Sequence, residues 1–168
     1  MTQPDNKDTA AIMYEELTEY VRQDRERFYR IAYTYLRDRD GALDVVQNAI
    51  LQAFRKLGNL REPRYMRSWF YRILVNESLS ELRRRRRRGD EISLEFIDPP
   101  EECQDSDRSR DLFEAVRRLP ERSQTVVILR YYEELKFDEI ARVTRTNVNT
   151  VKTRLYQALK ELHSEVQK

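Results

Sequence analysis

Residues 136–162 read KFDEIARVTRTNVNTVKTRLYQALKEL, and their pattern decides how the rest of the chain is read. Phe137, Ile140, Ala141 and Val143 give a short apolar stripe at helical spacing. Val148, Val151, Leu155, Ala158, Leu159 and Leu162 give a longer one. Between them Thr144 to Thr146 form a polar turn, and Asn147 is placed to cap the second helix. The face of that helix opposite its stripe carries Asn149, Lys152, Thr153, Tyr156 and Lys160, a surface rich in hydrogen-bond donors and free of large aliphatics. A packed inner face and a polar outer face near a helix start are what a helix-turn-helix needs to enter a major groove. An amphipathic hairpin in an ordinary bundle shows the same periodicity, so both readings stand at this point.

Working outward, the 168 residues suit one medium domain or two small ones. Only three glycines and a charged fraction of 37%, against about 25% in an average protein, disfavour a β-rich or α/β enzyme fold. The chain has no run of 18 apolar residues and no basic-then-apolar start, so neither a membrane span nor a signal peptide is expected. A single cysteine, Cys103, excludes an intramolecular disulfide and fits a reducing cytosol. The net charge of +2 conceals strong segregation: residues 83–88 are six consecutive arginines, and residues 89–107 hold eight carboxylates and no basic group. Such blocks meet water or a charged partner rather than a core. With Pro99 and Pro100 inside it, the acidic stretch reads as a linker. The expected fold class is all-α: a disordered N-terminus at 1–10, a helical domain at 11–88, an acidic linker at 89–108 and a smaller helical domain at 109–168.

The first domain reads as a short helix at 11–22 and three longer ones. Residues 25–37 align Phe28, Ile31, Ala32, Tyr35 and Leu36; residues 41–57 align Ala42, Val45, Val46, Ala49, Ile50, Ala53, Phe54 and Leu57. Gly58 and Asn59 are placed to end the latter in a left-handed conformation. The third runs from Pro63 into the arginine run, about 40 Å in all. Asp44, Gln47, Asn48, Leu51 and Arg55 form a second stripe on helix 41–57, away from its core face. Taken alone, a single exposed leucine needs no explanation and is the favoured reading; the functional one is a partner surface with one apolar contact. On the third helix Trp69, Phe70, Ile73 and Leu74 interleave with Arg67, Arg72 and Asn76. Rings stack on bases and guanidinium groups attract phosphate, so the mixture suits nucleic acid as well as a core-facing helix. Six adjacent arginines repel one another, which favours a polyanion nearby.

Four ordered segments together resemble the extracytoplasmic-function (ECF, group 4) sigma factors of bacterial RNA polymerase. ALDVVQNAILQAF at 42–54 is similar to region 2.2, and RSWFYRILVNESLSELRRRRR at 67–87 to regions 2.3 and 2.4. LPERSQTVVILRYYEELKFDEIA at 119–141 is similar to region 4.1 entering 4.2, and TVKTRLYQALKEL at 150–162 to the recognition helix. The resemblance implies that Asp44, Gln47, Asn48, Leu51 and Arg55 contact the clamp helices of core polymerase. It implies −10 strand capture by Asn59, Arg61, Arg64, Tyr65, Trp69, Arg72 and Asn76, with Arg84 and Arg87 from the arginine run. It implies −35 reading by Asn149, Thr150, Lys152, Thr153, Arg154, Tyr156 and Gln157. The acidic linker corresponds to the connector that threads the polymerase's RNA path. The implied partners are core RNA polymerase, promoter DNA and an anti-sigma factor, membrane-anchored in many relatives; the implied location is the cytoplasm.

Three positions depart from the family pattern. Arg145 stands where the turn usually has glycine, which implies about 1 kcal/mol of strain or an altered turn. Asn48 replaces an acidic residue, and Asn149 replaces a frequent glycine with an amide able to pair with adenine. The alternative is a helix-turn-helix regulator with a helical sensor domain, which would be a dimer on a palindrome. It leaves the stripe at 44–55 unexplained. No enzyme is expected, nor a cofactor, metal or small-molecule substrate. The one histidine, His163, falls in the last turn of the last helix, and no phosphate-cradling loop, metal-ligand cluster or nucleophile–base pair is present.

Overall fold

The computed structural model describes residues 6–90 and 107–167, and among these all regular structure is helical. The chain divides into two compact units with the boundary after Ile92. Most of the acidic linker, with Cys103, lies outside the described residues.

The first unit is a three-helix bundle: α1 (Asn6–Leu36), α2 (Arg39–Lys56) and α3 (Met66–Arg88) pack pairwise on one another. Phe28, Ile31, Ala32, Tyr35 and Leu36 of α1 are all buried, as are Ala42, Val45, Val46, Ala49 and Ala53 of α2, while Ile50 and Phe54 are half-buried. The ring of Phe28 lies 4.4 Å from that of Phe70 and 6.0 Å from that of Tyr71, and Tyr20 meets Phe70 edge-on at 5.7 Å. These offset and edge-to-face contacts join α1 to α3 at the centre of the bundle.

Several boundaries differ from the sequence reading. The helices expected at 11–22 and 25–37 are one helix, which also takes in residues 6–10 of the stretch read as disordered. No glycine or proline interrupts residues 23–24. One turn before them, Glu19 accepts from Arg22 Nε and Nη2 at 3.0 and 2.8 Å and from Gln23 Nε2 at 2.7 Å, i,i+3 and i,i+4 bonds that carry the helix onward. The end of α2 needs no left-handed residue at Gly58 or Asn59. The chain tightens into a 3-10 turn, Leu57–Asn59, with the Leu60 N–H returning to the Leu57 carbonyl at 3.0 Å and both leucines buried. A second 3-10 turn, Pro63–Tyr65, leads into α3. That helix closes at Gly89 (φ 70°), where the Gly89 and Asp90 N–H groups reach Arg86 and Arg85 carbonyls, a Schellman closure.

The arginine run is not uniformly a solvated patch. Arg85 turns inward: its Nη2 donates to Asp38 Oδ2 at 2.8 Å and its Nε to Glu81 Oε1 at 3.0 Å. Asp38 also caps α2, accepting from the Gly41 N–H at 2.8 Å. Burial opposes charge on Asp38 and Glu81, but the Arg85 hydrogen bonds outweigh it and hold both carboxyls below their ordinary values. A methyl group at position 41 would collide with the Arg85 guanidinium and the Asp38 carboxylate, so glycine there admits the ion pair.

The second unit packs α4 (Asp107–Arg118) and α5 (Glu121–Val127) on α7 (Val148–Val166), with α6 (Phe137–Thr144) also against α7. A single π-helical turn, Ile128–Tyr132, continues α5, the Glu133 N–H reaching the Ile128 carbonyl at 3.3 Å. Ile140 and Val143 of α6, and Val151, Leu155, Ala158 and Leu162 of α7, form the buried side of the helix-turn-helix; Phe137, Ala141, Val148 and Leu159 flank it half-buried. The turn keeps the glycine-type shape despite its arginine. Arg145 is left-handed (φ 52°, ψ 43°), and the Thr146 N–H reaches the Ala141 carbonyl at 3.1 Å. Strain, not an altered path, is the consequence of the substitution.

Two stability predictions follow from these local arrangements. Gly41→Ala, which in an ordinary helix would stabilise by about 0.5–1 kcal/mol, is expected to destabilise by about 1 kcal/mol because it ejects Arg85 from Asp38 and disturbs the cap. In an Arg85→Ala background the penalty should shrink, since only the Asp38 carboxylate then opposes the methyl group, and thermal unfolding of the four variants reads the difference; an equal penalty in both backgrounds would refute the clamp. At the second site Arg145→Gly should be about 1 kcal/mol more stable than Arg145→Ala, both lacking the long side chain, because only glycine occupies the left-handed region without strain. Equal stabilities would show that the turn relaxes in solution.

Candidate nucleic-acid interface

Three exposed faces carry the residues singled out by sequence. The first is on α2. With Ala42, Val45, Val46, Ala49 and Ala53 buried, the opposite side presents Asp44, Gln47, Asn48, Leu51 and Arg55, all exposed. Leu51 is 53% exposed, so the phase of the helix is the expected one and this leucine contributes little to the core. Leu43, another exposed aliphatic, lies on the flank of the same face and was not singled out.

The second face runs along α3 and the turns before it. Phe70, Tyr71, Leu74 and Leu82 are buried, which turns Tyr65, Trp69, Arg72 and Asn76 outward at near whole-turn spacing. Trp69, Tyr65 and Arg72 are half-buried and Asn76 is exposed. Asn59 and Arg61 are exposed beside them, and Arg64 pairs with Glu62 at 2.6 Å and lies over the Tyr65 ring, 4.7 Å from its centroid. Continuing the same spacing, Arg83 and Arg87 fall on this face. Arg84 does not: it lies to the side, with its Nε donating to Glu81 Oε2 at 2.8 Å. The structure thus brings Arg87 into line with Trp69 and Asn76 and diverts Arg84 and Arg85 to Glu81 and Asp38. Arg83 was missed because a run of identical residues carries no periodicity; only the phase of the buried residues sorts it.

The third face is on α7. The Asn147 side chain accepts from the Thr150 N–H at 2.7 Å, which caps the helix as the sequence suggests. Asn149, Lys152, Thr153 and Tyr156 project away from the buried stripe, Tyr156 being 66% exposed. The Thr153 hydroxyl donates to the Asn149 carbonyl at 2.9 Å, which leaves its methyl group as the contact it offers outward. Thr150 and Arg154 lie half-buried on one flank, next to exposed Gln157. Near the start of the helix the Lys152 ammonium sits over the Phe137 ring, 5.6 Å from its centroid. The Thr144 and Thr146 hydroxyls bond to each other at 3.0 Å and so brace the turn. Among the described residues no group of acidic, histidine and cysteine side chains is arranged to hold a metal ion.

Comparison with known proteins places both units in a family. Residues 20–88 match the family profile of Sigma-70 region 2, and residues 109–162 match that of Sigma-70, region 4. The RNA polymerase sigma factor SigV of Bacillus subtilis is 42% identical over 146 residues, which cover 86% of this chain and 87% of SigV. The ECF RNA polymerase sigma-E factor of Haemophilus influenzae is 30% identical over 139 residues, 74% of each chain. Among solved structures, the sigma factor RpoE of Bartonella quintana, crystallised with the anti-sigma factor NepR, superposes with a TM-score of 0.74 at 20% identity and covers 91% of this chain and 98% of RpoE. CnrH, solved with the cytosolic domain of CnrY, gives 0.71 at 20% identity, with 94% of each chain covered. With both of its helical units matched in order, the chain belongs to the ECF group of the sigma-70 family of RNA polymerase sigma factors.

Proposed function

We propose that the chain divides promoter selection among its three exposed faces: α2 docks on core RNA polymerase, α3 captures the melted −10 strand, and α7 reads the −35 duplex. As an ECF sigma factor the protein directs core polymerase to particular promoters. The observation that carries the assignment is the exposure of Leu51 at the centre of the polar stripe of α2, a geometry that suits a partner contact. On α3, Trp69 offers a ring for base stacking, Asn76 an amide, and Arg72 and Arg87 charge for phosphate. Melting is driven by trapping unstacked bases, whose unstacking costs a few kcal/mol that pocket contacts offset. On α7, Lys152 suits guanine O6 and N7, the Thr153 methyl suits thymine, and Asn149 suits adenine. Arg154 and Thr150, on the flank, suit phosphate. Asn59, Arg61, Arg64 and Tyr65 belong to the −10 loop, Tyr156 and Gln157 to the −35 surface, and Arg84 remains with the −10 group only as a peripheral charge.

The protein acts without catalysis of its own, needs no cofactor, and works in the cytoplasm. No described helix is long and apolar enough to cross a membrane. An anti-sigma factor is a fitting partner, since a sigma factor of the same fold was solved with one; if that partner is membrane-anchored, it would hold the chain at the membrane until released.

The test is Leu51→Asp. Because this side chain lies mostly in water, folding should be unchanged by circular dichroism and unfolding stability altered by under about 0.5 kcal/mol. Binding to purified core polymerase should weaken by about 2 kcal/mol or more, roughly thirty-fold in Kd. Wild-type affinity in the folded variant would remove α2 as the docking face.

A further inference from the structure

The Phe137 ring, at the first position of α6, has two cations over it. The Arg130 guanidinium lies 4.8 Å from the ring centroid and the Lys152 ammonium 5.6 Å. Arg130 is itself tied down, its Nη1 donating to the Leu135 carbonyl at 2.9 Å. The start of α6 is fixed as well, the Lys136 N–H donating to Glu139 Oε2 at 2.8 Å. The ring is half-buried, so one part packs and the rest remains available to a charge. Lys152 is exposed on the outer face of α7. A lysine there has a flexible four-carbon stem, and an unrestrained ammonium would sweep over several bases and phosphates. An ammonium attracted to a fixed ring samples a smaller region, and the group that enters the groove is then partly ordered beforehand.

We propose that Phe137 is a positioning residue for −35 recognition: from the first helix of the helix-turn-helix it restricts where the Lys152 ammonium reaches, and so sharpens base preference at the position Lys152 reads. This rests on the assignment of Lys152 as a base reader. The ring touches no base in this account; it acts through the lysine. Phe137 therefore contributes specificity from a position that periodicity assigns only to the apolar stripe of α6.

The experiment uses the full chain assembled with core polymerase and transcribing a promoter library randomised across the −35 element, with thermal unfolding recorded for each variant. Lys152→Ala should flatten preference at one position. Phe137→Leu and Phe137→Met, which keep apolar bulk without a ring, should reduce preference at that same position by about two- to five-fold, while Phe137→Trp retains it. In the Lys152→Ala background, Phe137→Met should have no further effect on that position. A uniform drop across the library, or an unchanged profile for both ring-less variants while Lys152→Ala still flattens one position, overturns the positioning role and leaves the reader assignment standing. An unchanged profile for Lys152→Ala removes the reader assignment, and the inference falls with it.

Discussion

Phe28 of α1 meets Phe70 and Tyr71 of α3 in the buried core of the first unit, and the phase of α3 follows from that contact. Once Phe70, Tyr71 and Leu74 are buried, Trp69, Arg72 and Asn76 have only the opposite side to occupy. The same constraint operates on α2, where burial of Val45, Val46, Ala49 and Ala53 sends Leu51 outward, and on α7, where Val151, Leu155 and Ala158 do so for Lys152 and Thr153. A fully buried aromatic or aliphatic side chain is worth about 1.5–3 kcal/mol, more than any one exposed contact contributes. The exposed faces are therefore set by the core rather than by their own interactions, and substitutions on them leave the packing of the bundle in place.

Charge is apportioned in a second way. The arginine run combines an internal support with an external surface: Arg85 joins the end of α3 to the cap of α2 through Asp38, while Arg87 remains on the outward face. The clamp links the start of α2 to the end of α3 within one unit. Glu81 neutralises two of the six, taking Arg85 on one oxygen and Arg84 on the other. Six like charges in sequence are thus less mutually repulsive than their count suggests.

The two-unit helical fold, the outward stripe of α2 and the capped α7 were legible because each rests on periodicity or on one well-understood residue type, such as Asn147 at a helix start. The continuity of α1 was not, because it depends on side-chain bonds around Glu19 rather than on an apolar pattern. The end of α2 was assigned to Gly58 and Asn59 from their conformational freedom, yet burial of Leu57 and Leu60 shaped it. The inward turn of Arg85 and the need for glycine at 41 depend on residues far apart in sequence, which no local rule connects. The π-helical turn at Ile128–Tyr132 has no sequence signature at all. The resemblance to ECF sigma factors supplied roles for the faces, while the geometry sorted the arginines among them.

Run-off transcription with purified core polymerase and a promoter library tests the central claim most directly, that this chain confers promoter choice on polymerase through two separate DNA-reading units. The account predicts initiation only when the chain is added, at promoters sharing two short elements at a fixed spacing, with each element losing its influence when the face assigned to it is altered. Binding of the chain alone, as a dimer, to a palindromic site, with no change in where core polymerase initiates, would contradict it.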